Sequence, residues 1–129
     1  MRFLNPQTLS TTAGYTHVVE VRTGRTIFIS GQIALDQSGN VVGAGDFAAQ
    51  TEQVFRNIEL ALESVGASMV DVAKLTVFVV DMSQVQTFRE IRDRHVNTAN
   101  PPASSLIRVA GLVRDDLLIE IEAVAVLPE

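Results

Sequence analysis

Few residues of this chain could do chemistry, and they are small donors and carboxylates: Tyr15, Ser30 with the Gly31 amide, Ser104 and Glu120. A glycine at a strand end lets another backbone or a ligand come close, and Ser30 with the Gly31 amide could donate to a carboxylate. Glu120 and Glu122 alternate with Ile119 and Ile121, so both carboxylates share the strand face opposite the apolar one. Such a face either points into water or carries whatever chemistry the chain has. These positions are scattered and become a site only if the fold or a symmetric partner gathers them. Other chemistries find no motif. His17 and His95 lack a second ligand at i+4 or a spaced carboxylate, so no metal site is expected. There is no GxSxG elbow, and the glycines between Asp36 and Gly45 lack phosphate-loop spacing. The absence of cysteine excludes disulfides, thiolate metal sites and cysteine nucleophiles.

The elements that must position these residues follow from periodicity. From Leu118 to Val126 one strand turns Ile119, Ile121, Ala123 and Ala125 to the core and Leu118, Glu120, Glu122 and Val124 to the reverse. Ser104 to Val109 reads as another strand, kept extended at its start by Pro101-Pro102, with Ser105, Ile107 and Val109 inward and Ser104, Leu106 and Arg108 on the polar reverse. Asn5 to Gly14 reads as a loop reaching over the fold. His17 to Arg22 and Thr26 to Ile33 read as a hairpin across Thr23-Gly24. Asp36 to Gly45 is a turn with room for one short strand. Phe47, Val54, Ile58, Ala61, Leu62 and Val65 keep helical spacing from Asp46 to a cap at Gly66. Glu52, Arg56, Glu59 and Glu63 form the solvated face of that helix, with Glu52 placed to pair with Arg56. Val72 to Val80 is a nearly continuous apolar strand, of the kind covered on both faces. Ser83 with Gln86 then makes a capping box for a second helix, on which Val85, Phe88, Ile91, Arg92 and His95 fall on successive turns. Strand, helix, strand predicts that Val72–Val80 and Ser104–Val109 pair in parallel by a right-handed crossover. The class is α+β, a sheet with its helices on one face.

Composition narrows the function. At 129 residues the chain is expected to form a single domain, 1–129, with an aliphatic core, since tryptophan is absent. A net charge of -5 argues against a nucleic-acid partner, which needs a clustered basic surface. No stretch approaches the length of a membrane span or a signal sequence, so no membrane partner is expected and the location is read as cytoplasmic. A sheet face that mixes Leu118, Val124, Val126 and Leu106 with charges is too apolar to face bulk water as a monomer.

The motifs, in order, resemble a family. Gly14-Tyr15, Ile29-Ser30-Gly31-Gln32-Ile33, Lys74-Leu75-Thr76-Val77-Phe78-Val79 with Asp81, Pro-Ala-x-Ser from Pro102, and Ile119-Glu120-Ile121-Glu122-Ala123 resemble the Rid (reactive intermediate deaminase, YjgF-type) proteins over nearly the whole chain. The resemblance implies a chorismate-mutase-like mixed sheet with two helices packed on one face, assembling as a homotrimer. It also implies ligand pockets between subunits, hydrolysis of imines or enamines such as 2-aminoacrylate, and no need of a cofactor. Carried over by position, Glu120 matches the glutamate that orients the attacking water, Tyr15 the pocket tyrosine, and Ser30 and Gly31 the Ser-Gly pair. Glu120 is accordingly expected to be more buried than Glu122 and to line an intersubunit cleft with Tyr15 and Ser30.

One position departs from the pattern. The family's deaminases carry an arginine directly after Pro-Ala that grips the substrate carboxylate; this chain has Ser104. Losing a bidentate, charge-assisted contact costs about ten- to a hundred-fold in recognition of a 2-imino acid. Leu106 stands where many members have a small polar residue or cysteine, and Arg89 where they often have asparagine. Arg89 or Arg108 could supply a displaced charge, or both could be ordinary surface arginines. Two functions follow. One is a hydrolase of an imine or enamine other than 2-aminoacrylate, with a carboxylate-bearing small-molecule ligand; the other is a non-catalytic metabolite- or protein-binding trimer. A ribonuclease role, also associated with the family, is disfavoured by the acidic charge. Restoring the fork with Ser104→Arg is expected to raise deaminase activity, unless Leu106 and Arg89 have remade the cleft.

Overall fold

The computed structural model describes residues 1–129. In chain order it forms β1 (Arg2–Leu4), β2 (Val18–Glu20), β3 (Arg25–Gln32), α1 (Phe47–Glu63), β4 (Val72–Val79), α2 (Val85–His95), β5 (Ala103–Arg108) and β6 (Ile119–Leu127). The four-stranded sheet has the order β3-β6-β4-β5. β6 runs antiparallel to both its neighbours, while β4 and β5 are parallel, as the strand-helix-strand order requires. Both helices pack on one face. Leu75, Val77, Val79, Ile119, Ile121 and Ala123 from the sheet form one core with Phe47, Val54, Phe55, Ile58 and Leu62 of α1 and Phe88 and Ile91 of α2. Each large aliphatic side chain sealed there contributes about 1.5–3 kcal/mol relative to exposure. The opposite face bears Lys74, Thr76, Phe78, Glu120, Glu122 and Val124, half-buried or exposed. β4 therefore alternates buried and half-buried instead of being sealed on both faces within one chain.

Several local expectations are corrected. β2 does not form a hairpin with β3; it pairs with β1, a strand not foreseen, and β3 pairs with β6. Long-range pairing with a buried central strand outweighs the local turn signal at Thr23-Gly24. Between Asp36 and Gly45 the expected short strand is reduced to an isolated bridge, Leu35 to Val41. α1 starts on Asp46, whose side chain accepts from the Ala49 amide, and ends at Glu63, with Gly66 in the left-handed region (φ 78°) closing the turn. No capping box joins Ser83 to Gln86. Asp81 instead accepts from the Ser83 amide, and α2 starts on Gln84 without a side-chain cap. Those hydrogen bonds hold the Asp81 carboxyl below its ordinary range, helped by the nearby Arg108 charge.

Glu52 does not pair with Arg56 either. It binds His95 Nε2 at 2.8 Å and also pairs with Arg94, while Glu59 binds His95 Nδ1 at 2.7 Å, and the imidazole stacks on Phe55 at 4.8 Å. Both carboxylates grip the one ring, so this face of α1 clamps the end of α2. Partial burial raises the Glu52 pKa, but the hydrogen bonds and charges of His95 and Arg94 outweigh it and leave it lowered. Its contribution is thus present at neutral pH and is lost only as pH falls through that lowered value.

Gln50 is another residue that periodicity does not reveal. It is fully buried; its Nε2 donates to the carbonyls of Gly43 (3.2 Å) and Asp116 (2.8 Å), and its Oε1 accepts from the Leu118 amide at 2.8 Å. One amide thus ties α1 to the loop before it and to the start of β6. Gln50→Leu is expected to destabilise the chain by about 3 kcal/mol, because it strands buried backbone groups; urea unfolding monitored by circular dichroism measures this. A loss below about 0.5 kcal/mol would mean that water replaces the amide.

Candidate functional site

The candidate residues fall into two groups, one on each side of the sheet. On the face away from the helices, the register between β3 and β6 shifts between Ile29 and Gln32, so Ser30 and Gly31 form a bulge. Glu120, half-buried and paired with Phe78 across β4, lies over that bulge; Glu122 beside it is exposed. A Cβ built on Gly31 would stand 2.3 Å from Glu120 Oε2, 2.8 Å from its Cδ and 3.0 Å from its Cγ. Only glycine lets the carboxylate rest there. Arginines pair elsewhere within the chain: Arg2 and Arg22 with Glu20, Arg56 with Glu59 and Glu63, Arg94 with Glu52, Arg114 with Asp116. The Glu120 carboxylate is left open to a ligand or a water.

The second group surrounds a cavity of about 350 Å³ between α2 and β5, lined by Tyr15, Ser104, Leu106, Arg89, Arg92 and Phe88 among others. Here the expected facing of β5 is overturned. Ser104 is paired with Leu75 and Leu106 with Val77, both core residues, so Ser104 and Leu106 point to the helix side; Ser105 and Ile107 share the open face with Thr76 and Phe78. Arg108 pairs with Val79, also on the helix side, is exposed and lies near Asp81 rather than beside Glu120. Tyr15 is held at the cavity by its neighbour Thr16, buried, whose amide and hydroxyl donate to the carbonyls of Pro102 and Pro101. Within one chain, then, Glu120 meets Ser30 and Gly31, and Tyr15 meets Ser104, Leu106 and Arg89, but the two groups do not meet each other.

Arg92 was visible in the sequence only as a member of the helical stripe. It is buried to all but 7% of its side chain, its guanidinium 5.8 Å from the Phe88 ring centroid and bonded to Asp93 through Nε and Nη2. Gly14, at φ 78°, makes room for it: a Cβ there would lie 2.0 Å from Nη2 and 2.7 Å from Cζ. The available signal was an arginine one turn after Phe88 on an otherwise apolar face.

Comparison with known proteins bears on this arrangement. Residues 6–127 match the family model described as Endoribonuclease L-PSP. This chain belongs to that family. Among its relatives, a RutC family protein of Synechocystis is 39% identical over 103 residues, covering 79% of this chain and 78% of that protein. The human 2-iminobutanoate/2-iminopropanoate deaminase is 36% identical over 106 residues, covering 82% and 76%. A crystal structure of a Yersinia pestis protein, described as of unknown function in the conserved Rid family, superposes with a TM-score of 0.87 at 36% identity, covering 98% of each chain. The resemblance carried by the motifs therefore holds, and the fold is the chorismate-mutase-like α+β fold of the Rid proteins. No helix in this L-PSP family member is long and apolar enough to cross a membrane.

Proposed function

We propose that this chain is a cytoplasmic, homotrimeric hydrolase of imines or enamines of 2-oxo acids, which needs no cofactor and holds its ligand between subunits. The observation that carries the reading is the open, half-buried Glu120 carboxylate laid against Gly31 at the Ser30 bulge. The name of the human relative supports the reaction class. Each chain carries two incomplete groups, and a neighbouring copy that brings its Tyr15, Ser104, Leu106 and Arg89 up to Glu120, Ser30 and Gly31 would complete one site per interface. Glu120 takes a proton from water as the oxygen bonds to the imine carbon, and the C=N electrons move to nitrogen, which is protonated. Collapse of the carbinolamine breaks the C–N bond and releases ammonia and the 2-oxo acid. Tyr15 of the neighbouring copy donates a proton in the completed pocket. Ammonia release from imines made in situ tests the class: acceleration that depends on Glu120 supports it, and none overturns it. Ser104 favours a second reading, a binding trimer without turnover, because the charge that the family's deaminases place there is missing.

The trimer has its own test. Phe28, 80% exposed, and Ile107, 41% exposed, lie on the same open face of the sheet as Glu120. Light scattering is expected to give three times the 14.0 kDa chain mass, and Phe28→Glu to lower it. A wild-type mass of one chain at micromolar concentration would contradict the assembly.

A further inference from the structure

The strongest unexplained feature is a nearly sealed guanidinium at a cavity lined by both polar and aliphatic side chains. Burying an arginine is costly unless its donors are met. Arg92 spends Nε and one Nη2 bond on Asp93, whose own side chain is 48% exposed, and Nη1 donates to nothing in the chain. No polar side-chain atom is both sealed and unpaired, so Nη1 opens on the cavity. The Phe88 ring lies 5.8 Å from Cζ and Gly14 packs against Nη2, so Nη1 is the donor left for a ligand in the cavity that Ser104 and Tyr15 also line. A charged donor there suits a carboxylate oxygen, and the rest of the lining, with Leu106, Val85 and Met82, suits an aliphatic body.

We propose that Arg92 is the residue that binds the ligand's carboxylate, and that the lining around it selects 2-oxo acids and their imines with a branched aliphatic side chain. The inference deepens the proposed function and rests on it for the ligand class. It also gives the cavity the cation that Ser104 does not.

The test compares binding of 4-methyl-2-oxopentanoate with that of its uncharged amide by calorimetry, for wild type, Arg92→Met and Arg89→Met. Wild type is expected to prefer the acid by about tenfold or more, and Arg92→Met to bind acid and amide alike. Acid preference retained in Arg92→Met, lost in Arg89→Met instead, or absent from wild type would overturn the proposal. Should Arg92→Met fail to fold, crystals of the wild-type protein grown with the acid decide: a carboxylate on the Arg92 guanidinium supports it, and a carboxylate elsewhere or none overturns it. The two claims fail separately. Wild type that hydrolyses no imine yet prefers the acid through Arg92 refutes only the catalysis. Imine hydrolysis by a chain whose Arg92→Met variant keeps its preference refutes only the Arg92 assignment.

Discussion

Glu120→Gln is expected to lower imine hydrolysis by about 10²-fold or more while the variant still binds 4-methyl-2-oxopentanoate. Glutamine has nearly the same size, so it keeps the contact with Gly31, but it cannot take a proton from water. A positioned general base is worth about 10²–10⁴-fold. The measurement is ammonia release under conditions where an amino-acid oxidase supplies the imine faster than it is consumed. A kcat within a few-fold of wild type would remove Glu120 from the reaction. A fall in affinity with unchanged kcat would make it a binding group instead.

Gly31→Ala should cost nearly as much, although it adds a single methyl to a residue with no functional group. The new Cβ would stand 2.3 Å from Glu120 Oε2, far inside contact distance, so the carboxylate must swing off the bulge. A displacement of about 1 Å at a reacting group costs about 10²-fold. The effect should run through Glu120 alone, so adding Gly31→Ala to Glu120→Gln should change the rate little further. Additive losses in the double variant would mean that Gly31 acts in another way, for instance through its own amide.

How much of this was legible in the residues can be judged element by element. The strict alternation of β6 fixed which side of the sheet Glu120 occupies, and the order of β4, α2 and β5 fixed their parallel pairing. β5 was misjudged because Ser104-Ser105-Leu106-Ile107 places a serine and an aliphatic residue on each face, so its own pattern does not choose a side. Its register against Leu75 and Val77 chooses. That parity separates Ser104 from Glu120 within the chain and explains why scattered candidates formed two groups. β1 and β2 are three residues each, too short for any periodicity to show. Gln50 drew no reading and His95 was read only as a helix-face residue, because their hydrogen-bond partners are distant in sequence. Arg92 also alters the expectation for Ser104→Arg: the added guanidinium would enter a cavity already lined by Arg89 and Arg92, and like charges there oppose the gain.

The central claim is that this acidic, cysteine-free chain hydrolyses the imines of 2-oxo acids. The most direct measurement is the rate of imine disappearance in competition with semicarbazide, comparing the imines made from leucine and from alanine. Catalysed hydrolysis is expected for both in wild type, faster for the leucine imine because Leu106, Val85 and Met82 line the cavity, and abolished by Glu120→Gln. Semicarbazone formation unchanged by wild-type protein with either imine would contradict the account and leave a trimer that binds without turnover.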